Sequence, residues 1–99
     1  KAYTESGGKC IPADCYVSVS VSAFFPVPKS YSKKKREDCL ERILRPDKKP
    51  DMDNILKVVL DALNEVAYED DKQVVELIGR KYYTESDGYL WISVSEVKV

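Results

Sequence analysis

Two short acidic segments in the second half of the chain carry residue types that bind divalent metal ions. The first is Asp51-Met52-Asp53-Asn54 and the second is Glu69-Asp70-Asp71. Carboxylates that converge from separate elements are a common way to hold magnesium, which prefers oxygen ligands and keeps several of its waters. The two segments could therefore form a magnesium site if the elements between them bring them together, but a helix cap and an ordinary acidic loop are the simpler explanation of the same residues. Manganese suits the same carboxylate ligands.

The composition narrows the chemistry further. The chain contains no histidine, so Ser-His and Cys-His nucleophile pairs are excluded. Cys10, Cys15 and Cys39 are an odd set without a CxxC pair, which argues against a zinc site and a disulfide framework. They are typical of reduced thiols in a cytoplasmic protein. No apolar run reaches about 18 residues, so no membrane span is predicted.

Two other known motifs could use the same acids, namely an EF-hand calcium loop and a nuclease pattern. An EF-hand loop that starts at Asp51 is excluded, because Leu56 stands where glycine is needed and Ala62 stands where the bidentate glutamate belongs. The loose nuclease pattern PD…(D/E)xK is matched by Pro50-Asp51 followed by Asp70-Asp71-Lys72. That pattern is short and often matched by chance, so the match is weak evidence. It is nevertheless an alternative, and it would make Lys72 the catalytic lysine.

Charge is unevenly distributed, although the formal net charge is only −1. Residues 29–49 hold nine Lys or Arg against four acids, a net charge of +5, whereas residues 50–99 hold five against eleven, a net charge of −6. Basic side chains neutralise phosphates, and cations bound by acids reverse the local sign. The distribution is compatible with a metal-dependent enzyme that acts on a polyanion, but charge alone favours the simpler alternative of two solvated faces.

The first half of the chain is predicted to form a loop, a strand and a helix. Residues 1–14 contain two glycines and a proline without a clear period, and they are predicted to be a loop. From Cys15 the pattern alternates as in a half-buried strand, with Val17, Val19 and Val21 on one side and Ser18, Ser20 and Ser22 on the other. Two prolines within residues 24–28 end it. Ser32 is predicted to cap a helix that runs to Leu44.

A second helix is predicted over residues 53–66. Asp51 or Asp53 would be its N-cap, which is the ordinary structural explanation of the first acidic segment. Its apolar residues follow a helical period: Ile55, Val58, Val59, Ala62 and Val66. Lys57 falls away from that stripe. The ends of such a helix are about 20 Å apart. The next strand must therefore run back for Asp71 to meet Asp53, or a second subunit must supply part of the site.

The end of the chain is predicted to form two strands. Residues 73–83 are rich in β-forming side chains, residues 85–88 are predicted to be a hairpin turn, and residues 89–97 alternate with Leu90, Ile92 and Val94 on one face. The order β-α-α-β-β predicts an α/β fold, an α+β sandwich in which helices pack on a mixed β-sheet. A length of 99 residues predicts a single domain, 1–99.

Three strings together resemble the RusA family of Holliday junction resolvases. They are KPDMDNILK over residues 49–57, DALN over residues 61–64 and YEDDKQVVE over residues 68–76. The segment that precedes these strings, residues 24–36, also resembles the family. The resemblance runs from about Val17 to Val94. The spacing KPDxDNxxK, DAL and DDxQV is specific enough to favour the family over an accidental match.

The resemblance implies a magnesium-dependent enzyme whose metal, replaceable by manganese, is held by Asp51, Asp53 and Asp71. It also implies that Asp70 is an accompanying acid and that Lys57 is the catalytic lysine. The family acts as a homodimer that cuts two strands of a four-way DNA junction, in recombination and repair. The basic side chains that precede the acids are predicted to grip DNA phosphates rather than to read bases: Lys33, Lys34, Lys35, Lys48 and Lys49.

The chain also departs from the family pattern. Family members usually open with a strand, a loop rich in Pro and Arg and a helix, so this chain is expected to lack part of its natural N-terminus. The alternative to an enzyme is a catalytically silent module that binds branched DNA without magnesium. Two surfaces are predicted as candidates for the dimer interface: the face formed by Leu90, Ile92 and Val94, and the segment Phe24-Phe25.

Overall fold

The computed structural model describes the backbone of residues 2–5 and, in full, residues 10–97. In chain order the elements are β1 (Ala2–Glu5), β2 (Val17–Pro26), α1 (Lys33–Leu40), α2 (Met52–Leu63), a short 3-10 helix (Asp71–Gln73), β3 (Val74–Thr84) and β4 (Tyr89–Glu96). The strands form one mixed sheet in the order β1-β4-β2-β3, against which the two helices pack. The predicted fold class is therefore confirmed. No helix in this described part is long and apolar enough to cross a membrane.

Strand β2 is the centre of the sheet and supplies most of the core. It pairs antiparallel with β4 and parallel with β3. The predicted alternation is confirmed, because Val17, Val19 and Val21 are fully buried whereas the serines between them are half-buried. Parallel neighbours need a long crossover connection. Helices α1 and α2 supply it between β2 and β3.

Helix α2 buries only part of the predicted apolar stripe, namely Ile55 and Val59. Its core face consists of Ile55, Val59 and Leu63, with Leu56 and Leu60 packed beside them. The predicted members Val58, Ala62 and Val66 are exposed. The helix also ends at Leu63 rather than at residue 66, because Asn64 and then Glu65, at a φ of 66°, leave the helical conformation. The stripe was misassigned because several apolar residues compete for one narrow face.

A glycine lies at the contact between α2 and β3. A Cβ atom at Gly79 would lie 2.5 Å from Sδ of Met52 and 3.3 Å from Cδ1 of Leu56. The missing side chain lets the first turns of α2 lie directly on β3. Asp53 follows Met52, so the same contact fixes the position of the first acidic segment relative to β3.

Helix α1 ends four residues earlier than predicted. Ser32 caps its start as expected, since Ser32 Oγ accepts a hydrogen bond from the Lys35 N–H at 3.2 Å. After Leu40 the chain turns at Arg42, at a φ of 67°. The Ile43 N–H then donates to the Asp38 carbonyl at 2.9 Å, as in a Schellman motif. The predicted helical residues Ile43 and Leu44 consequently lie outside the helix and are exposed.

The predicted hairpin at residues 85–88 is wrong. Strands β3 and β4 lie on opposite sides of β2 and do not pair with each other, so residues 85–88 pass over the end of β2. A Cβ at Gly88 would lie 2.9 Å from the Phe24 carbonyl oxygen, which shows how closely this loop crosses β2. Turn residues reveal where the chain reverses but not which strand it reverses onto.

The predicted N-terminal loop is also wrong in part. Residues 2–5 form β1, which pairs in parallel with β4 in the register Ala2 with Leu90. Ile11 is buried, and its N–H donates to the Ala67 carbonyl at 2.9 Å. Residues 1 and 6–9 lie outside the described part. An edge strand without a two-residue alternation of apolar side chains leaves no period in the sequence.

Neither of the two surfaces predicted as dimer interfaces is a freely exposed apolar face in the structure. Ile92 and Val94 are 5% and 2% exposed and Leu90 packs against the same core, so this predicted dimer face is not free. Phe24 is half-buried and its ring stacks on the Tyr89 ring at a centroid distance of 4.5 Å. Exposed apolar side chains are found instead on the edge strand β3: Val75, Leu77 and Ile78.

Candidate active site

A groove of about 410 Å³ lies between helix α2 and the segment that leads into β3. Its lining combines three carboxylates, one ammonium group and three leucine side chains: Asp53, Asp61, Asp71, Lys57, Leu56, Leu60 and Leu77. The structure therefore brings the two acidic segments of the sequence to one surface.

Helix α2 presents three of these groups because they are spaced by four residues. Asp53, Lys57 and Asp61 occupy positions i, i+4 and i+8, so they lie on one face of the helix. Lys57 is exposed, as its separation from the apolar stripe predicted, and lies one turn from each acid. Asp61 is the first residue of the string DALN, and it was not predicted as a site residue. Its spacing from Asp53 and Lys57 is the signal that could have identified it.

Asp71 reaches the groove from the turn that precedes β3. The Tyr68 hydroxyl lies 3.1 Å from Asp71 Oδ1 and 3.4 Å from the Leu60 carbonyl oxygen. Tyr68 is fully buried. Burial, followed by the hydrogen bond to Asp71 and the negative charges of Asp71 and Asp61, raises the pKa of Tyr68 well above its usual range. The hydroxyl therefore keeps its proton and acts as a donor.

The acidic turn itself is held by the buried side chain of Gln73, which is 3% exposed. Its Oε1 accepts hydrogen bonds from the N–H groups of Glu69 and Asp70 at 2.9 and 2.8 Å. Its Nε2 donates to the carbonyls of Pro12 and Cys15 at 2.7 and 3.0 Å. One amide thus joins the turn to the segment before β2. Gln73 lies within the string YEDDKQVVE, but no pattern in the sequence indicates this structural function.

The two remaining predicted acids occupy different positions. Asp51 is the N-cap residue of α2, is exposed, and forms no capping bond through its side chain within the described structure. It is not among the residues that line the groove. Asp70 does have a structural function, because its Oδ1 accepts a hydrogen bond from the Lys72 N–H at 3.0 Å and forms a capping box with Gln73.

The groove offers the type of ligand atom that magnesium prefers, but it does not offer enough protein ligands to surround the ion. Its acids supply hard oxygen ligands. Among residues 10–97, however, no three acidic or cysteine side chains are close enough to share one ion. Asp53 and Asp61 are separated by a rise of about 12 Å along the helix. Magnesium commonly binds one or two carboxylates and takes waters and substrate phosphates as its other ligands, so the residues fit an ion of that kind.

The structure separates the two lysines that compete for the catalytic assignment. Lys57 lines the groove, whereas Lys72 lines a separate pocket with the segment 13–16 and Gln73. The pattern PD…(D/E)xK would require Lys72 beside the acids of the groove. The position of Lys57 therefore favours the KPDxDNxxK pattern over that alternative.

The predicted DNA-contacting lysines lie on two exposed segments. Lys33, Lys34 and Lys35 form the first turn of α1, and Lys48 and Lys49 precede α2. Two of these lysines have side-chain partners among the described residues. Lys34 Nζ is 3.0 Å from Asp38 Oδ1, whose hydrogen bond and charge raise the pKa of Lys34, and Lys35 Nζ lies 4.0 Å from the centre of the Tyr31 ring.

The profile of the family described as endodeoxyribonuclease RusA matches residues 1–95. The chain belongs to the RusA endodeoxyribonuclease family. It is also 51% identical over 71 residues to the uncharacterized protein YqaN of Bacillus subtilis, a match that covers 70% of this chain and 50% of YqaN. The chain thus spans about half the length of that relative. No solved structure matches the chain.

Proposed function

We propose that this chain is a magnesium-dependent endonuclease domain that resolves Holliday junctions by cutting two strands of four-way DNA. One observation carries the proposal: Asp53, Lys57 and Asp71 come from separated motif segments and line the same groove. Cleavage of a phosphodiester needs neutralisation of charge on the phosphate, and carboxylates for a metal beside an exposed cation provide for it. Membership of the RusA family supports the same chemistry.

The residues in and beside the groove have different roles in the proposed reaction. Asp53 and Asp71 would hold the metal, with waters and phosphate oxygens as its other ligands. Asp51, the third acid of the motif, caps α2 outside the groove, so its contribution to the metal stays a prediction of the resemblance. When bound, magnesium, or manganese in its place, lowers the pKa of a coordinated water and neutralises phosphate charge. The Lys57 ammonium, one turn from Asp53, donates hydrogen bonds to the phosphate oxygen on which charge develops. Asp70 supports the site by capping the turn that carries Asp71.

The basic segments grip the DNA backbone. Lys48 and Lys49 immediately precede the first acidic segment, so one stretch of chain carries both phosphate-binding side chains and a proposed metal ligand. Lys33, Lys34 and Lys35 extend the contact along α1. Ammonium groups bind phosphate as point charges, and contacts to phosphate position the DNA without selecting its sequence.

Paired cleavage calls for two copies of the groove. One chain has one set of acids, and a two-fold homodimer presents two identical sets to a junction that has near two-fold symmetry. The edge of β3 supports this arrangement, since exposed strand edges with apolar side chains are prone to pair with another chain. Val75, Leu77 and Ile78 are 52%, 40% and 41% exposed there. Leu77 also lines the groove, so a partner on this edge would lie next to it.

The alternative is a catalytically silent module that binds branched DNA. It would use the same lysines but would bind no magnesium in the groove. The two proposals share a cytoplasmic location, which the free thiols of Cys10, Cys15 and Cys39 support. They differ in whether the carboxylates of the groove have a function.

A cleavage assay distinguishes the two proposals. The chain is incubated with a synthetic four-way junction and with linear duplex of the same sequence, with and without magnesium. We expect paired cuts in the junction only with magnesium. Asp53→Asn should abolish both cleavage and the calorimetric magnesium isotherm. Asp87→Asn, an exposed acid in the loop between β3 and β4, should retain both. Junction binding without cleavage in every condition would support the silent module instead.

A further inference from the structure

We propose that Tyr68 is a positioning residue that orients the Asp71 carboxylate toward the groove, on a turn that Gln73 locks in place. The inference rests on the proposed metal site. It concerns Tyr68 and Gln73, two residues that have no role in the proposed function. Tyr68 and Gln73 are both buried behind Asp71. Hydrogen-bond partners behind a ligand commonly decide its orientation and its affinity for the metal.

The Tyr68 hydroxyl can donate only one hydrogen, and two oxygens compete for it. Asp71 Oδ1 is 3.1 Å away and the Leu60 carbonyl oxygen is 3.4 Å away. A carboxylate is the stronger acceptor, so the hydrogen goes to Asp71. The hydroxyl thereby engages Oδ1 and leaves Oδ2 for a ligand in the groove.

The position of the Tyr68 ring is itself fixed. The ring is fully buried within the core cluster that contains Val59 and Leu63 of α2. Tyr68 also forms isolated β-bridges with Ile11 and Asn64. A donor on so constrained a ring cannot follow a carboxylate that moves, so it selects one orientation of Asp71.

Gln73 constrains the backbone on which Asp71 is carried. Its amide accepts from Glu69 and Asp70 on one side and donates to Pro12 and Cys15 on the other. The Ala13 N–H adds a bond to Glu69 Oε2 at 2.6 Å. The turn is thus tied to a segment about 60 residues earlier in the chain. Tyr68 acts on the carboxylate of Asp71, whereas Gln73 acts on the turn beneath it.

The test measures manganese affinity by electron paramagnetic resonance on the whole chain, with no DNA present. Tyr68→Phe removes only the hydroxyl, and we expect it to weaken manganese binding by about tenfold, the lower end of the loss seen when a ligand loses its supporting hydrogen bond. Val59→Ala is the matched control. It lowers the thermal stability of the same core without contact with Asp71, and its manganese affinity should equal that of the unsubstituted chain.

Each outcome decides the inference. Equal affinities of Tyr68→Phe and the unsubstituted chain overturn it while the proposed function stands. Equal weakening by Tyr68→Phe and Val59→Ala also overturns it, since that result means a general loss of structure. If the unsubstituted chain binds no manganese, the inference and the proposed metal site are both wrong.

A second measurement does not require a variant that folds. In the unsubstituted chain labelled with ¹³C, magnesium should shift the Cζ resonance of Tyr68 together with the carboxyl resonance of Asp71, because the metal withdraws electron density from the acceptor of the hydroxyl. The Cζ resonance of Tyr83 serves as the control and should stay in place. A Tyr68 resonance that does not move while that of Asp71 does overturns the inference.

Discussion

The guanidinium carbon of Arg42 lies 4.1 Å from the centre of the Tyr82 ring, at the residue where helix α1 turns back. Arg42 has a φ of 67°, a conformation that costs about 1 kcal/mol or more for a residue with a Cβ atom. Its stacking on Tyr82 offsets that cost, since such a contact contributes about 0.5–1 kcal/mol at an exposed site. The end of α1 and the edge of the sheet are therefore coupled through this pair.

Substitutions at Arg42 should separate the two contributions. Arg42→Ala keeps the backbone cost and loses the stacking, so we expect the free energy of unfolding to fall by about 0.5–1 kcal/mol. Arg42→Gly loses the stacking but relieves the backbone, so it should be close to neutral. Urea denaturation measures both. A glycine variant as unstable as the alanine variant would show that the backbone conformation carries no cost.

Lys57 rather than Lys72 is expected to act in catalysis. Lys57→Ala should reduce turnover of a four-way junction at least about a hundredfold, the loss typical of removing one donor to a transition state, while junction binding survives. Lys72→Ala is the matched control, because Lys72 is exposed but lines a different pocket. A larger loss from Lys72→Ala would reverse the assignment in favour of the PD…(D/E)xK pattern.

Charge reversal of the lysines should act on every junction sequence alike. Lys48→Glu and Lys49→Glu should each weaken binding and lower the slope of log affinity against log salt by about one or more. Lys34→Glu should change the slope less, because Lys34 is already paired with Asp38. Fluorescence anisotropy at several salt concentrations provides the measurement. An effect confined to one junction sequence would indicate base contacts instead.

The homodimer is expected to form through the edge of β3. Light scattering at micromolar concentration should give twice the chain mass of 11.3 kDa. Ile78→Lys should shift the protein to a monomer, because lysine on a strand edge opposes pairing. Val66→Lys places the same charge on an aliphatic residue that is 69% exposed and outside the sheet, and it should leave the dimer intact. A monomer that still makes paired cuts would contradict the dimer.

Alkaline pH should destabilise the fold through Tyr68 and Tyr83, whose pKa values are raised in the folded state. Burial, followed by a hydrogen bond with Tyr31, raises the pKa of Tyr83 from 10.0 to about 12. Because the folded state favours the protonated phenol, this stabilisation is complete below pH 10 and is lost as the pH rises from 10 to about 12. Urea denaturation from pH 8 upward should show the decline. Tyr83→Phe should make it shallower, leaving the similar contribution of Tyr68, and an unchanged decline would contradict the assignment.

Local patterns in the sequence determined those features that depend on neighbours along the chain. The alternation at Val17, Val19 and Val21 predicted β2, because side chains of a strand alternate between two faces. Ser32 predicted the start of α1, because its hydroxyl serves N–H groups within the next turn. The motif strings indicated the family, and through that resemblance they predicted a set of site residues: Asp51, Asp53, Lys57, Asp70 and Asp71. None of these inferences needs contacts between distant segments.

Only the tertiary structure decided which segments meet. The turn at residues 85–88 carries hairpin signals, yet β2 enters between β3 and β4, because pairing depends on the burial of whole strands rather than on the turn. The same limit applies to the candidate site. Gln73 and Tyr68 look like ordinary members of a motif until the fold brings Pro12 and Leu60 beside them. A hydrogen bond between residues some 60 positions apart leaves no period in a sequence, since its partners are chosen by packing.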